Sequence, residues 1–258
     1  MRYALHAEWT KLRVGSGTAP LLLLAVVLTA AVSAATAGTA RCPGPGCGED
    51  GVRLSLTGVL VGQAVVAVAA VLSVGGEYAT GTIHTTLTAV PRRLTAFTAK
   101  ATVVTATVLA SGTLAVLASL LAGRLVLPGN GFTEAHGCPP LSLGDGPTLR
   151  AAAGSVLYLA LIALLSFGVA TAVRDGATAI GIVLGLLYLF PVVARVVGDA
   201  DLRRLLQQLS PMSAGLAVQS TTGLDRLPVG PWQGLGVLAA WTAAALLAGG
   251  LLLRRRDA

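Results

Sequence analysis

The stretch AAAGSVLYLALIALLSFGVATAV, residues 151–173, decides the fold class of this chain. It contains no Asp, Glu, Lys, Arg or His, and it is longer than the roughly 20 apolar residues that a helix needs to cross about 30 Å of hydrocarbon. A transmembrane strand would alternate polar and apolar side chains, and this stretch does not. It therefore predicts a membrane-spanning α-helix.

Five more charge-free stretches lie on either side of it. The six windows are Val14–Ala40, Leu54–Gly76, Ala101–Gly123, Ala151–Val173, Gly176–Ala194 and Leu227–Leu253. A charge at the centre of a span costs about 2.5–3.5 kcal/mol on insertion scales, so its exclusion from every window is informative. Charged residues make up only 11% of the chain, whereas a soluble domain carries about 25%.

We therefore predict a single all-α polytopic transmembrane domain over residues 1–258. Its spans are expected at about 18–37, 55–75, 100–122, 151–173, 177–196 and 233–253.

The window Leu205–Leu224 is also free of charge, but it is too polar to span. It holds three Gln, three Ser, two Thr and Pro211. Such a segment fits a short interfacial or re-entrant structure, because protein or water must satisfy its polar groups. A simple loop outside the membrane fits it equally well.

The first 15 residues favour an amphipathic helix at the membrane surface rather than a cleaved signal peptide. Glu8, Trp9, Lys11 and Arg13 belong to a stretch in which apolar and charged side chains are interleaved, as in interfacial helices. The apolar run that follows is as long as a true span, and no small-residue cleavage context stands out.

The distribution of cations predicts the orientation. An even number of spans puts both termini on one side, and that side carries ten cations in short segments: Arg2, Lys11, Arg13, Arg92, Arg93, Lys100, Arg174 and Arg254–Arg256. The longer loops of the other side carry eight cations and seven of the eleven acids. The positive-inside rule then places both termini in the cytoplasm of a multi-pass plasma-membrane protein. The net charge of +7 is suited to lipid headgroups rather than to nucleic acid, because the cations form no single stripe.

All three cysteines lie in loops predicted on the outer side. Cys42 and Cys47 close a short Pro-Gly-Pro-Gly loop, so a disulfide is an attractive interpretation in that compartment. A metal site that includes His136 and Cys138, and free thiols, are the alternatives.

Membrane enzymes are disfavoured, because intramembrane catalysis needs ionisable groups at depth and the six windows contain no Asp, Glu or His. The same absence argues against a proton-coupled carrier. A sodium-coupled carrier stays open, since the third span is rich in hydroxyls: Thr102, Thr105, Thr107, Ser111 and Thr113. A non-transporting accessory membrane protein is a further alternative.

The segment between the second and third spans is the most informative part of the chain. It reads Gly75-Gly76-Glu77-Tyr78-Ala79-Thr80-Gly81-Thr82-Ile83 and continues through Thr86-Leu87-Thr88-Ala89-Val90-Pro91-Arg92-Arg93. Ile83, Leu87 and Val90 have helical spacing, which predicts a short helix with one apolar face that ends at Pro91. Either this is a plain interfacial loop, or it is a docking helix for a cytoplasmic partner.

These residues resemble the permease subunit of bacterial ABC-2 type ABC transporters. The pattern Gly76-Glu77-Tyr78-x-x-Gly81-Thr82, with Thr86-Leu87-x-Ala89-x-Pro91-Arg92-Arg93, is similar to the family's first cytoplasmic loop. Ala7-Glu8-Trp9-Thr10-Lys11-Leu12-Arg13 is similar to the interfacial helix that opens many bacterial members. Six spans with cytoplasmic termini complete the resemblance.

The resemblance implies an exporter built from two permease subunits, a homodimer in the simplest case, and two separate cytoplasmic ATP-binding subunits. It assigns coupling to Glu77, Tyr78, Gly81, Thr82, Leu87, Pro91, Arg92 and Arg93, and a second lever to the N-terminal helix. The chain lacks a Gly-x-x-x-x-Gly-Lys-Ser/Thr phosphate loop, so we expect no ATP hydrolysis, no cofactor and no catalytic or metal site in the chain itself.

Two glycine pairs and a few aromatics complete the predictions. Gly58-x-x-x-Gly62 and Gly181-x-x-x-Gly185 permit close helix contact; the second pair is either the dimer seam or a packing face within one subunit. A pathway lined by small residues and the aromatics Tyr158, Phe167, Tyr188 and Phe190 favours an amphipathic or apolar cargo.

Overall fold

A computed structural model describes residues 18–42, 44, 48–79, 93–133, 138 and 141–255, without the side chains of 77–79 and 93. In these residues the chain is helical, with no strand. In chain order the helices are α1 (Thr18–Thr39), α2 (Gly51–Ser55), α3 (Val59–Ala79), α4 (Arg93–Val126), α5 (Gly146–Val173), α6 (Gly176–Val196), α7 (Ala200–Leu209), α8 (Pro211–Leu216) and α9 (Pro231–Arg255). Short 3-10 turns lie at Pro128–Asn130, Ala217–Gln219 and Leu224–Arg226.

Six of these described helices (α1, α3, α4, α5, α6 and α9) are long and apolar enough to cross a membrane. This confirms the all-α polytopic fold class and the number of spans. Each is at least 18 residues long and has a mean hydropathy between 1.9 and 2.4, which is the combination that a helix in hydrocarbon requires.

Helix α5, which contains the stretch 151–173, is the centre of the bundle. In its most apolar window 61% of the residues are buried by protein, compared with 22% in α1, α6 and α9. Its small residues allow close contact: a Cβ on Gly168 would lie 2.7 Å from the backbone of Ala245 in α9. The helix ends at Arg174, whose backbone is left-handed with φ 66°.

The ends of the helices meet at two opposite faces of the bundle. At one face α3 ends close to the start of α6: a Cβ on Gly75 would lie 3.1 Å from the Gly176 Cα. We call this the terminal face, because the described chain starts and ends there, at Thr18 and Arg255. At the opposite face, the cap face, the Asn130 side chain donates to the carbonyl of Ala37 at 2.8 Å.

Helix α4 is longer than the predicted third span. It has 34 residues, which is about 51 Å of helix, and it begins at Arg93 rather than near residue 100. Charges end an apolar window but do not end a helix, so α4 continues past Lys100 at the terminal face and past Arg124 at the cap face. The second span is shifted in a similar way: Gly51–Ser55 form the separate helix α2, and α3 begins at Val59.

Candidate functional site

The predicted coupling segment connects α3 to α4 at the terminal face. Glu77 and Tyr78 belong to the last turn of α3, and Arg93 is the first residue of α4. Gly81, Thr82, Leu87, Pro91 and Arg92 lie outside the described residues. Helix α3 thus extends past residue 75, the predicted end of the second span, and includes the first residues of the motif. The coupling roles of all eight residues stay predictions.

Around this connection, α3, α4 and α6 are tied together. The Lys100 ammonium of α4 donates to the carbonyl of Ser73 in α3 at 3.2 Å. Gly75 and Gly176 bring the backbones of α3 and α6 into close contact, and a Cβ on Gly75 would lie only 3.1 Å from the Gly176 Cα. The end of α3, the start of α4 and the start of α6, which lie next to the predicted coupling segment in the chain or in space, are therefore in direct contact.

Helix α6 begins next to this junction with an aspartate cap. The backbone N–H of Thr178 donates to the Asp175 carboxylate at 2.7 Å, which satisfies one of the unpaired donors of the first turn. Hydrogen bonds from the side chain and then the backbone of Thr178 lower the pKa of Asp175 from its ordinary value of 3.8.

Two predicted features fall wholly or partly outside the described residues. The N-terminal interfacial helix, with Glu8, Trp9, Lys11 and Arg13, is one. The other is the cysteine pair: Cys42 is disulfide-bonded and buried at the cap face, whereas Cys47, the partner that the sequence predicts, lies outside the described residues. The pairing stays a prediction.

Residues 210–220 are buried in the helical bundle, which argues against the simple loop that the sequence left open; we call them the re-entrant segment, after the interpretation that their burial favours. Helix α8 and the following 3-10 turn are almost entirely buried. Their contacts are too close for extra atoms: a Cβ on Gly215 would lie 2.5 Å from the Tyr158 ring, and one on Gly154 would lie 2.2 Å from Val218. The segment thus folds back between helices α5 and α9 rather than forming a loop in water.

Polar side chains hold the far end of the re-entrant segment. The Asp50 carboxylate accepts hydrogen bonds from the backbone N–H and the hydroxyl of Thr221, the latter at 2.8 Å, and from the N–H of Thr222 at 3.1 Å. The Arg150 guanidinium donates to the carbonyl of Ser220 at 2.7 Å. The loop after α1 and the first turn of α5 therefore fix this segment together.

Three polar side chains from different helices meet inside the bundle: Gln63, Tyr158 and Tyr188. We call them the central polar cluster. The Tyr158 hydroxyl donates to the Gln63 side-chain oxygen, and the Gln63 amide donates to the Tyr188 hydroxyl at 3.2 Å. The Tyr188 hydroxyl in turn donates to the carbonyl of Leu60 at 2.7 Å. Gln63 and Tyr158 are completely buried, so the cluster joins α3, α5 and α6 through bonds that would be expensive to leave unmade.

Sequence reasoning did not single out Gln63. The second window is defined by the absence of charge, and a neutral amide does not interrupt it. The signal that could have identified Gln63 is its polarity in an otherwise apolar span. Its side-chain amide both donates and accepts hydrogen bonds, so it must find partners inside the protein. The two tyrosines were predicted to line a pathway; Tyr158, like Phe167, is instead buried in the core.

An apolar groove runs between α6 and α9 and is open to the outside of the bundle. Its volume is about 460 Å³, and its floor is formed by α5. The lining residues are Leu165, Val169, Ile182, Gly185, Leu186, Leu189, Phe190, Trp241, Ala244 and Ala245. Phe190, a member of the predicted aromatic set, lines this groove. The groove offers hydrocarbon contact but almost no hydrogen bonding.

The two glycine pairs have different surroundings. A Cβ on Gly58 would lie 1.9 Å from the Thr29 carbonyl oxygen, and one on Gly62 would lie 2.0 Å from the Thr29 hydroxyl, so this pair packs the start of α3 and the residue before it against α1. For Gly181 and Gly185 no described atom lies within 4 Å of such a Cβ. Described residues of the same subunit therefore do not require glycine at these two positions.

The hydroxyls of the third span are directed at their own helix. Each donates to a carbonyl one turn earlier, at distances between 2.7 and 3.0 Å; the residues are Thr102, Thr105, Thr107, Ser111 and Thr113. This pattern is ordinary for hydroxyls in membrane helices. Among the described residues, no group of three His, Cys, Asp or Glu side chains is placed to hold a metal ion, and His136 lies outside them.

Comparisons with known proteins add no relative. No family model matches the sequence, and no curated protein matches it.

Proposed function

We propose that this chain is the membrane-spanning permease subunit of an ABC-2 type ABC transporter, which exports an amphipathic or apolar compound. The proposal rests on the similarity of residues 76–93 to the family's first cytoplasmic loop and on six helices of spanning length and composition. Energy would come from a separate ATP-binding subunit, since the chain lacks a phosphate loop.

The observation that supports coupling best is the position of α3. This helix carries the first residues of the proposed coupling segment at one end and Gln63 in its interior. The same helix is bound to α4 through Ser73 and packs on α6 through Gly75. A push on the segment from an ATP-binding subunit would move α3 and strain the bonds that Gln63 makes with Tyr158 and Tyr188.

This arrangement suits alternating access between two states of the bundle. The hydrogen bonds of the central polar cluster would be made across three helices in one state and broken in the other. Nucleotide binding would shift the equilibrium between these two states. In this proposal the terminal face is cytoplasmic, as the cation distribution predicts, and the re-entrant segment lies toward the exterior.

A second permease subunit completes the proposed transporter. The open pair Gly181 and Gly185 gives α6 a surface without side chains where another helix can approach closely. We place the seam of a homodimer there. The neighbouring groove, lined by Phe190 and aliphatic residues, supports a cargo with an apolar part.

The test is co-purification from the cells in which the chain is naturally expressed. Tagged chain extracted in mild detergent is expected to bring a cytoplasmic ATPase with it, and the double variant Glu77→Ala, Arg92→Ala is expected to bring at least several-fold less. The matched control is Glu49→Ala, Arg53→Ala, which removes one acid and one arginine that are exposed at the cap face.

Each outcome is decisive for one part of the proposal. ATPase retained equally by both double variants would keep the transporter function and discard the coupling residues. ATPase absent from the parent preparation, in cells shown to express one, would reject the permease function.

A further inference from the structure

Helix α7 is an amphipathic helix with an apolar face that protein does not cover. Its sequence ADLRRLLQQL places four leucines at the spacing i, i+3, i+4, i+7, and therefore on one face: Leu202, Leu205, Leu206 and Leu209. The charged and amide side chains lie on the other face: Asp201, Arg203, Arg204, Gln207 and Gln208.

The leucine face is exposed in the folded chain. Leu202 is 46% exposed, and Leu205 and Leu209 are 50% exposed. A surface helix of a soluble protein turns such a face toward a core, so something other than the described protein must cover these side chains.

Both ends of α7 are fixed at the level where the bundle meets the cap face. The Arg203 guanidinium donates to the carbonyl of Val197, directly after α6, at 3.0 Å. At the other end, the Gln208 amide donates to the carbonyl of Pro228, just before α9, at 2.7 Å. Helix α6 has 21 residues, about 31 Å, which equals the thickness of the hydrocarbon. Helix α7 therefore lies along the boundary between hydrocarbon and headgroups.

The surface below α7 is apolar as well. The Trp241 indole donates to the carbonyl of Leu209 at 3.0 Å, and Trp241 also lines the groove between α6 and α9. Trp241 therefore links the end of α7 to this groove.

We infer that α7 lies in the lipid–water interface of the leaflet at the cap face, with its leucines among the acyl chains and Arg204 toward the phosphates. The occupant of the exposed face is phospholipid. Two acids, Asp199 and Asp201, balance Arg203 and Arg204, so apolar burial rather than net charge supplies the binding. This inference depends on the six membrane-spanning helices and not on the proposed transport function.

The consequence concerns the re-entrant segment. Helix α8 starts at Pro211, two residues after α7 ends, so a lipid-bound α7 holds the start of the re-entrant segment while Asp50 and Arg150 hold its end. The segment is then anchored to the bilayer on one side and to protein on the other.

The experiment measures depth in the membrane of the full chain. Nitroxide labels are placed at Leu205→Cys or Arg204→Cys in a Cys138→Ser background, and the protein is reconstituted into phosphatidylcholine vesicles. The label at 205 is expected about 5–10 Å below the headgroups, accessible to oxygen and protected from a water-soluble nickel chelate. The label at 204, on the opposite face, is expected to show the reverse.

The controls separate lipid from other occupants. The background without an added cysteine measures labelling at Cys42 and Cys47, and Leu202→Cys replaces Leu205→Cys if the latter does not fold. A label at 205 that nickel reaches as readily as the label at 204 overturns the inference, because water then covers the face. Protection from both oxygen and nickel overturns it too, because protein then covers the face. The measurement is repeated in vesicles that also contain phosphatidylglycerol. Equal depth of the label at 205 with and without phosphatidylglycerol supports binding by apolar burial, whereas insertion of α7 only in its presence overturns that basis.

Discussion

Two glycine pairs with the same spacing have opposite surroundings in this bundle. Gly58 and Gly62 are closed in by Thr29 of α1, so that a Cβ at either position would overlap an oxygen atom. A Cβ on Gly181 or Gly185 of α6 would meet no described atom within 4 Å. The first pair is a contact within the subunit, whereas the second has room for added atoms.

The difference lies in the partner helix rather than in the glycines. Thr29 is a small residue whose hydroxyl donates to the carbonyl of Ala25 in its own helix at 2.6 Å, and Ser33, one turn further, accepts the backbone N–H of Gly58 at 3.0 Å. Helix α1 thus offers a surface of small residues with satisfied hydrogen bonds. A small-xxx-small pattern predicts that another helix can approach closely. Where that contact forms depends on the surface that the facing helix presents.

The closed pair gives the largest expected effect. Gly58→Leu places a side chain where the Thr29 backbone lies and should lower the free energy of unfolding by about 3 kcal/mol, since overpacking against backbone cannot be relieved by a rotamer change. Thermal unfolding of the purified chain in detergent, followed by circular dichroism, measures this loss.

The matched control is Gly181→Leu, which makes the same substitution at the same motif position. It should change the stability of the dissociated subunit by no more than about 0.5 kcal/mol, as is usual for surface substitutions. Equal losses in both variants would show that α6 is also packed within the subunit and would remove the contrast.

The open pair gives an intermediate effect, on association instead of folding. If α6 forms the seam of the proposed homodimer, Gly181→Leu combined with Gly185→Leu should weaken dimerisation by about tenfold, or 1.4 kcal/mol, because two helices can no longer approach closely. Mass photometry of the chain across a dilution series measures the monomer–dimer equilibrium.

Here Gly236→Leu is the control, because it is another membrane-helix glycine whose Cβ would meet no described atom within 4 Å. Unchanged dimerisation in the α6 variant, or an equal loss in the control, would move the seam away from α6.

The charge-free windows, with Leu205–Leu224 excluded for its polarity, were sufficient to predict the number of spans, because hydrocarbon penalises every charge regardless of its neighbours. They could not locate the ends of the helices. Arg93 and Arg124 are excluded from an apolar window but are accommodated in α4, since a helix continues wherever its backbone hydrogen bonds do. Similarly, the polarity of residues 205–224 showed that they do not span, while the exposed α7 and the buried α8 within that range follow from tertiary packing.

Less of the candidate site than of the fold could be predicted from the sequence. The motif of residues 76–93 was found because its residues are adjacent in the chain. The central polar cluster joins Gln63 to Tyr158 and Tyr188, which are remote in sequence, so no local pattern reveals it. Asp50 and Thr221 are a second example. Hydrogen bonds between spans depend on which helices become neighbours, and that is settled by the whole bundle.

The smallest expected effect lies at the start of α6, where the helix with the open pair contacts the helix with the closed pair through Gly176 and Gly75. Asp175 caps α6, and its pKa is lowered in the folded state from 3.8. A depressed pKa means that the carboxylate stabilises the fold above pH 3.8 and that this contribution is lost as the pH falls from there through the folded-state pKa. Asp175→Asn keeps a capping side chain but should make unfolding slightly less dependent on pH in that range.

Thr178→Val tests the cause of this shift. It removes the side-chain hydrogen bond to Asp175 but leaves the backbone N–H that also donates to the carboxylate, so the pKa of Asp175 should rise part of the way toward its ordinary value. Melting temperatures of the parent and both variants between pH 5 and about 2.5 measure the effect, and only their differences matter, because other acids titrate in every sample. A parent and an Asp175→Asn variant with parallel pH profiles would show that the cap adds nothing to stability. The close contact of Gly75 with Gly176 at the start of α6 would then hold this end of α6 without a contribution from the cap.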